Sequence, residues 1–195
     1  MLQREFRAFA PAEIRTEGDA LHVSGYAAVF NQPADIGGYF RERIAPGAFS
    51  EAIGRDDVVF LVNHEGLPLA RTRSGTLSLS EDATGLRMES DLDPEDPDVK
   101  AIVGKMRRGD LDRMSFAFLP TIQEWDESGD LPLRTIVKAQ LFDVSIVTTP
   151  AYDGTSIGLR SLDAHRAQQR AQNFSAAALR HRLKMNLALR GRENG

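Results

Sequence analysis

The stretch from Leu111 to Pro120 restricts the fold of this chain more than any other. In Asp112-Arg113-Met114-Ser115-Phe116-Ala117-Phe118-Leu119, a period of two puts Met114, Phe116 and Phe118 on one face and Ser115, Ala117 and Leu119 on the other. Three bulky apolar residues at alternate positions suit a strand with one face on a core. Ser115 then lies opposite the bulky residues, beside a small neighbour, and is either a filler or a nucleophile. Which of the two it is depends on whether a base is available elsewhere. His64 is the best candidate, at the end of the apolar run Val58-Val59-Phe60-Leu61-Val62, where a strand covered on both faces meets a loop.

Much of the remaining chain also reads as sheet. Ala12 to Thr16 and Ala20 to Phe30 form short runs around the hairpin signal Glu17-Gly18-Asp19, with a bulge or bend expected at Ser24-Gly25. Asn31 to Gly38 is a loop, Tyr39 to Ile44 a strand, and Ser50 to Ile53 a brief helical turn after Pro46-Gly47. Thr76 to Ser80 and Leu86 to Leu92 alternate as an antiparallel pair with one wet face. After Arg113 to Leu119 come a turn at Asp126 to Asp130 and the strands Arg134 to Lys138 and Ala139 to Thr148. In the last, Leu141, Asp143, Ser145 and Val147 are expected to share one face. An acid in so apolar a strand needs a partner, because an unpaired buried carboxylate is costly.

One helix is well marked. Asp96 caps it, Pro97 opens it, Val99, Ile102, Val103 and Met106 recur at helical spacing, and Gly109 follows its end. Lys105, Arg107 and Arg108 suit the negative end of its dipole and read as helix-end chemistry.

Composition narrows the function classes. The chain carries −4 overall, yet from Arg160 onward eight Lys/Arg face two Asp/Glu, so a basic tail of +6 follows an acidic body of −10. Helix formers dominate that tail, which is expected to be helical, or disordered until bound. There is no Cys, hence no disulfide, thiolate metal site or cysteine nucleophile. No apolar run reaches the ~20 residues of a membrane helix, and a secretory signal is not apparent at Met1 to Phe6. The expectation is a soluble protein of the cell interior, off the membrane. His22, His165 and His181 lie in contexts unrelated to His64, and no second His stands at i+4 from it, so no metal is expected.

Acyl transfer by serine requires a base in reach of the hydroxyl, a group to hold that base, and donors for the oxyanion. Ser115, His64 and Asp143 supply nucleophile, base and orienter from separate strands; Ser145, on the Asp143 face, is the rival nucleophile. The Gly-x-Ser-x-Gly elbow is missing around Ser115, so strands would have to carry the residues directly.

These residues also carry a resemblance. Asn63-His64-Glu65, Met114-Ser115-Phe116-Ala117-Phe118 and Phe142 to Tyr152, preceded by Ile44-Ala45-Pro46-Gly47-Ala48-Phe49, resemble the ordered motifs of the tailed-phage prohead protease family over roughly Gly25 to Tyr152. The resemblance implies an α+β fold similar to herpesvirus assemblins, a mostly antiparallel β-barrel flanked by helices, at residues 1–159, with the basic tail at 160–195. It implies a serine endopeptidase that needs no cofactor and works inside the assembling procapsid in the host cytoplasm. Its expected partners are the major capsid protein and its scaffolding region, which it cuts along with itself. His64 would be the base and Ser115 the nucleophile. The third member differs among such proteins, assemblins using a second histidine where this strand offers Asp143. Oxyanion donors are expected in Thr148 to Gly154. Self-association is open, as assemblins pair. The competing expectation is a non-catalytic β-barrel acting in capsid assembly or scaffold binding. Nucleic-acid binding through the tail is disfavoured by the acidic body.

Overall fold

The structure, a computed structural model, describes residues 4–17, 20–148 and 155–193. Strands dominate: β1 Glu5–Glu17, β2 Ala20–Val29, β3 Ala34–Ile36, β4 Phe40–Ile44, β5 Val59–Val62, β6 Glu65–Arg71, β7 Leu77–Glu81, β8 Gly85–Leu92, β9 Arg113–Asp126 and β10 Leu133–Val147. Helices α1 Ser50–Arg55 and α2 Pro97–Arg108 interrupt them, and α3 Thr155–Glu193 follows. The chain divides into two compact units, Met1–Ile157 and Gly158–Gly195.

In the first unit the hydrogen-bonded order is β3-β4-β10-β9-β1-β2-β8-β7, with β5 and β6 joined on at β10. This path has two ends, so the expected closed barrel is replaced by an open, mixed α+β arrangement. Most pairings are antiparallel, but β10 takes β4 and β5 as parallel neighbours along the same edge. That arrangement is possible because β10 is 15 residues long and the two short strands use different parts of it. The hairpin β9–β10 is continuous, where the sequence had suggested a break at Lys138; its register shifts there instead.

Strand β1 begins earlier than the apolar pattern indicated. Its first part, from Glu5 to Pro11, pairs with β9, and its second, from Ala12, pairs with β2. It thereby joins two sheets. Gly18 and Asp19 of the expected turn lie outside the described residues. The irregularity in β2 falls between Tyr26 and Ala28, two residues beyond the expected site. Strand β6 is not expected from the sequence, since Gly66 and Pro68 argue against a strand interior; among the described residues it is an outer strand paired to β5 alone.

Phe116 and Phe118 lie in the core, stacked at 4.8 Å between centroids, and Phe49 meets Phe116 edge-on at 5.4 Å. Helix α2 closes over this core with Val99, Ile102 and Met106. Its ends follow the sequence signals: Asp96 Oδ1 accepts from Asp98 N at 2.8 Å, and Gly109 takes φ 79°, the left-handed conformation of a helix-ending glycine.

The second unit is helical along α3 as far as Glu193. Phe174, Leu179 and Leu183 on it are exposed. No helix among the described residues is long and apolar enough to cross a membrane.

Candidate active site

Three neighbouring strands, β5, β10 and β9, bring the singled-out residues to one face. Ser145 of β10 is in register with Leu61 of β5 on one side and with Ser115 of β9 on the other. Residues directly opposite each other in an antiparallel pair point the same way, so Ser115 and Ser145 share a face. Asp143, two residues before Ser145, shares it too. Leu141 does not. A register shift between Leu141 and Asp143 leaves Phe142 as an extra residue, so Leu141 sits opposite Phe118 and enters the core, which corrects the face expected for it. That bulge lets one strand serve the core with Leu141 and the polar face with Asp143.

His64 is delivered by a tight turn. Val62 pairs with Glu65, leaving Asn63 and His64 as the two central residues, with φ of 52° and 62°. Positive φ at both is what a type I′ hairpin turn requires. Asn and His tolerate this region better than most residues, although a non-glycine there still stores strain. Asn63 ties the turn to β10: its amide donates to Ile146 O at 2.9 Å, and its Oδ1 accepts from Thr148 N at 3.1 Å. The imidazole is thus directed back over β10 towards β9.

There His64 Nδ1 lies 2.5 Å from Asp143 Oδ1 and Nε2 lies 2.7 Å from Ser115 Oγ. A carboxylate only accepts, so the proton belongs on Nδ1, leaving Nε2 free to accept from the serine hydroxyl. Ser145 Oγ donates to Asp143 Oδ1 at 2.8 Å and stands 3.1 Å from His64 Nδ1. Hydroxyl, imidazole and carboxylate thus form a chain along which a proton can leave the serine. Ser145 was expected only as a rival nucleophile; its hydroxyl is committed to the carboxylate. All four groups are largely or wholly withdrawn from solvent.

A further element covers the site. The first part of β1 lies along β9 with Phe6 opposite Ala117 and Ala8 opposite Ser115. Phe6 packs edge-on against the His64 ring at 4.6 Å. The carbonyl oxygen of Arg7 is 2.9 Å from Ser115 Oγ, and Ser115 is 0% exposed. On the other face, Glu5 and Arg7 enter a buried network with Glu42 and Arg134. Arg7 binds Glu5 at 2.8 Å and Glu42 at 2.6 Å; Arg134 reaches both Glu5 and Glu42 at 2.8 Å. Burial pushes the Arg134 guanidinium down, but its hydrogen bonds and the charges of Glu5 and Glu42 more than offset that, so it is held above its ordinary value. Arg4 adds a guanidinium 4.0 Å above the Phe142 ring.

In the sequence this cover is hidden, because the charges of Arg4, Glu5 and Arg7 around Phe6 resemble a solvated edge. The expected oxyanion region fares differently: the Thr148 amide is taken by Asn63, and residues 149–154 lie outside the described residues. His22, on β2, two places from β9 in the sheet order, pairs with Asp91 at 2.8 Å. No cluster of three or more His, Cys, Asp or Glu suited to a metal occurs among the described residues.

Comparison with known proteins agrees with this arrangement of strands. The chain is 28% identical over 176 residues to the prohead protease of Enterobacteria phage HK97, covering 86% of this chain and 73% of that protein. In structure it resembles the capsid assembly protease of bacteriophage T4 with a TM-score of 0.52 at 12% identity, over 76% of this chain and 98% of the other, a likeness of fold. Residues 10–169, a span that includes His64, Ser115 and Asp143, match the caudovirus prohead serine protease family, and the chain belongs to that family.

Proposed function

We propose that this protein is a serine endopeptidase of capsid maturation in which Ser115 is the nucleophile, His64 the general base and Asp143 the group that holds His64. The observation that carries this reading is the continuous contact from Ser115 Oγ through His64 to Asp143 Oδ1, at 2.7 and 2.5 Å. Ser115 Oγ attacks the scissile carbonyl carbon as its proton passes to His64 Nε2. The tetrahedral intermediate then collapses: His64 gives that proton to the leaving amine, the C–N bond breaks, and an acyl-serine remains. Water, deprotonated by His64, hydrolyses the ester and restores the hydroxyl. Asp143 accepts the Nδ1 proton as a hydrogen bond throughout and offsets the charge of the imidazolium, while Ser145 fixes the carboxylate. No cofactor takes part in these steps.

The relatives are named for prohead and capsid assembly, which supports the major capsid protein and its scaffolding region as substrates, within the assembling procapsid in the host cytoplasm. Self-cleavage, self-association and a likeness to herpesvirus assemblins belong to the same reading. So does the division of labour between a protease body at 1–159 and a basic tail at 160–195 that seeks an acidic or helical scaffold segment. The test is co-expression of the capsid protein with wild type or Ser115→Ala, followed by mass spectrometry of both partners. Fragments with wild type alone support the enzyme. Identical intact masses favour the second reading, a non-catalytic assembly module, which the complete burial of Ser115 recommends.

A further inference from the structure

Helix α2 has a second face besides the one that meets the core. Lys100, Val103, Gly104 and Arg107 follow the spacing i, i+3, i+4, i+7 and so lie along one side of it. Together with Val99 they border a cavity of about 240 Å³, whose other walls are Leu21 at the start of β2 and Pro94 just after β8. That space is many times what one water needs, and it admits an apolar side chain of leucine or phenylalanine size. Leu21 and Val99 are buried and form its floor, whereas Lys100 and Arg107 are exposed. Two helical turns set these cations about 10 Å apart along the axis, with Val103 and Gly104 between them.

Gly104 is the residue that the fold does not account for. Glycine is among the poorest residues in a helix interior. A Cβ at this position would meet Arg108 Nη1 at 3.3 Å and nothing else beyond the helix's own turns. That atom is the tip of a flexible side chain, which can move aside. The helix could therefore carry a larger residue at 104, and its absence lets another backbone come close to the cavity.

We propose that this face of α2 docks an acidic amphipathic helix of another protein. One apolar side chain of that helix enters the cavity, and carboxylates one turn before and one turn after it meet Lys100 and Arg107. Recognition of a helix in a groove uses anchors at this spacing. Charge selects the occupant. Asp98 lies on the opposite side of α2, and Asp96 is engaged by the Asp98 amide at 2.8 Å. Lys100 does hold Glu95 at 3.0 Å, but both side chains are more than half exposed, and such a pair is exchanged for an incoming carboxylate at little cost. The chain's own long helix is a poor match. Its exposed Phe174, Leu179 and Leu183 belong to a segment of charge +6, which the cations of α2 repel. None of the cavity residues belongs to the proposed catalytic group, so the inference stands whether or not Ser115 is the nucleophile.

The test uses the full chain carrying Ser115→Ala, so that no peptide is cut, and follows binding by fluorescence anisotropy at low salt. The probe is a labelled, stapled helical peptide of Ala and Gln with Leu as anchor and Glu one turn to either side. Replacing its Glu by Lys, or its Leu by Ser, should weaken binding about tenfold or more. Adding Gly104→Leu to the protein should do the same by filling the cavity. Adding Lys100→Glu with Arg107→Glu should invert the order, so that the Lys peptide binds about tenfold better than the Glu peptide. A thermal melt accompanies each variant, and Gly104→Leu should melt at or above the parent because a helix glycine has been removed. The proposal is overturned if the Glu peptide does not bind, if Gly104→Leu leaves its affinity unchanged, or if charge reversal fails to invert the order. A Gly104→Leu protein that melts well below the parent also overturns it, since the glycine would then be required by the fold itself.

Discussion

Asp143→Asn keeps the volume of the side chain and removes its charge, which makes it the sharpest probe of the site. The carboxylate accepts from His64 Nδ1 at 2.5 Å and from Ser145 Oγ at 2.8 Å through the same oxygen. In the proposed mechanism Nε2 takes the Ser115 proton, and the positive imidazolium has its charge centre about 4 Å from the carboxylate; at an effective dielectric of ~20 their attraction is about 4 kcal/mol. With a tenfold change in rate for every ~1.4 kcal/mol, loss of that attraction slows the chemical step about a thousandfold. The asparagine amide also offers a donor to Nδ1, which favours the wrong imidazole tautomer, and in a well-studied Ser-His-Asp peptidase the equivalent change costs about ten thousandfold. The expectation is a kcat reduced by about 10³ to 10⁴ with KM changed by no more than about threefold, since the carboxylate is engaged by His64 and Ser145 and acts through the imidazole. Cleavage of the capsid protein followed in time gives the rates, and a thermal melt of the variant checks that the fold is retained. A loss smaller than about tenfold in a folded variant would show that Asp143 does not sustain His64.

Ser145→Ala removes one hydrogen bond to that carboxylate, and a contact of about 1.5 kcal/mol predicts a loss of kcat near tenfold; if it abolishes fluorophosphonate labelling while Ser115→Ala preserves it, the nucleophile has been misassigned. Arg134→Met leaves Glu5 and Glu42 buried with Arg7 as the only remaining cation of the quartet. Breaking a buried ion pair from one side costs about 3–5 kcal/mol, and urea denaturation should register it; an unchanged midpoint would mean that the quartet contributes nothing. Gly85→Ala would set a Cβ 1.9 Å from the Ala28 carbonyl oxygen and 2.9 Å from its carbon, both backbone, so β2 and β8 must part. Overpacking of this kind costs about 1–3 kcal/mol or more, measurable by the same titration. The Tyr26 hydroxyl, followed by the Thr84 amide, holds the Asp82 carboxyl below its ordinary value. A depressed carboxyl stabilises the fold above the ordinary carboxylate range and loses that effect as pH falls through its folded value. The stability gap between wild type and Asp82→Asn should therefore narrow as pH drops below about 4, and a gap that widens would reverse the assignment.

Local patterns carried much of this protein. The alternation around Ser115 set its strand and its face, because in a strand side-chain direction follows from count alone. Asp96-Pro97 and Gly109 set both ends of α2, since capping is satisfied within a few residues. His64, Ser115 and Asp143 could each be singled out as chemically anomalous where they stand. Other features depended on which strands meet. The face of Leu141 is decided by a register shift against Phe118, and a bulge is a property of the pair, so counting along one strand misassigned it. Whether the sheet closes depends on partners far apart in sequence, and there the expected barrel opened into a path with two ends. The charges of Glu5 and Arg7 resemble surface residues until Glu42 and Arg134, from distant strands, bury and neutralise them. The chain by itself determined which groups are able to do the chemistry; tertiary structure decided that they meet, and that the first part of β1 lies over them, because cross-strand pairing joins positions that no local periodicity relates.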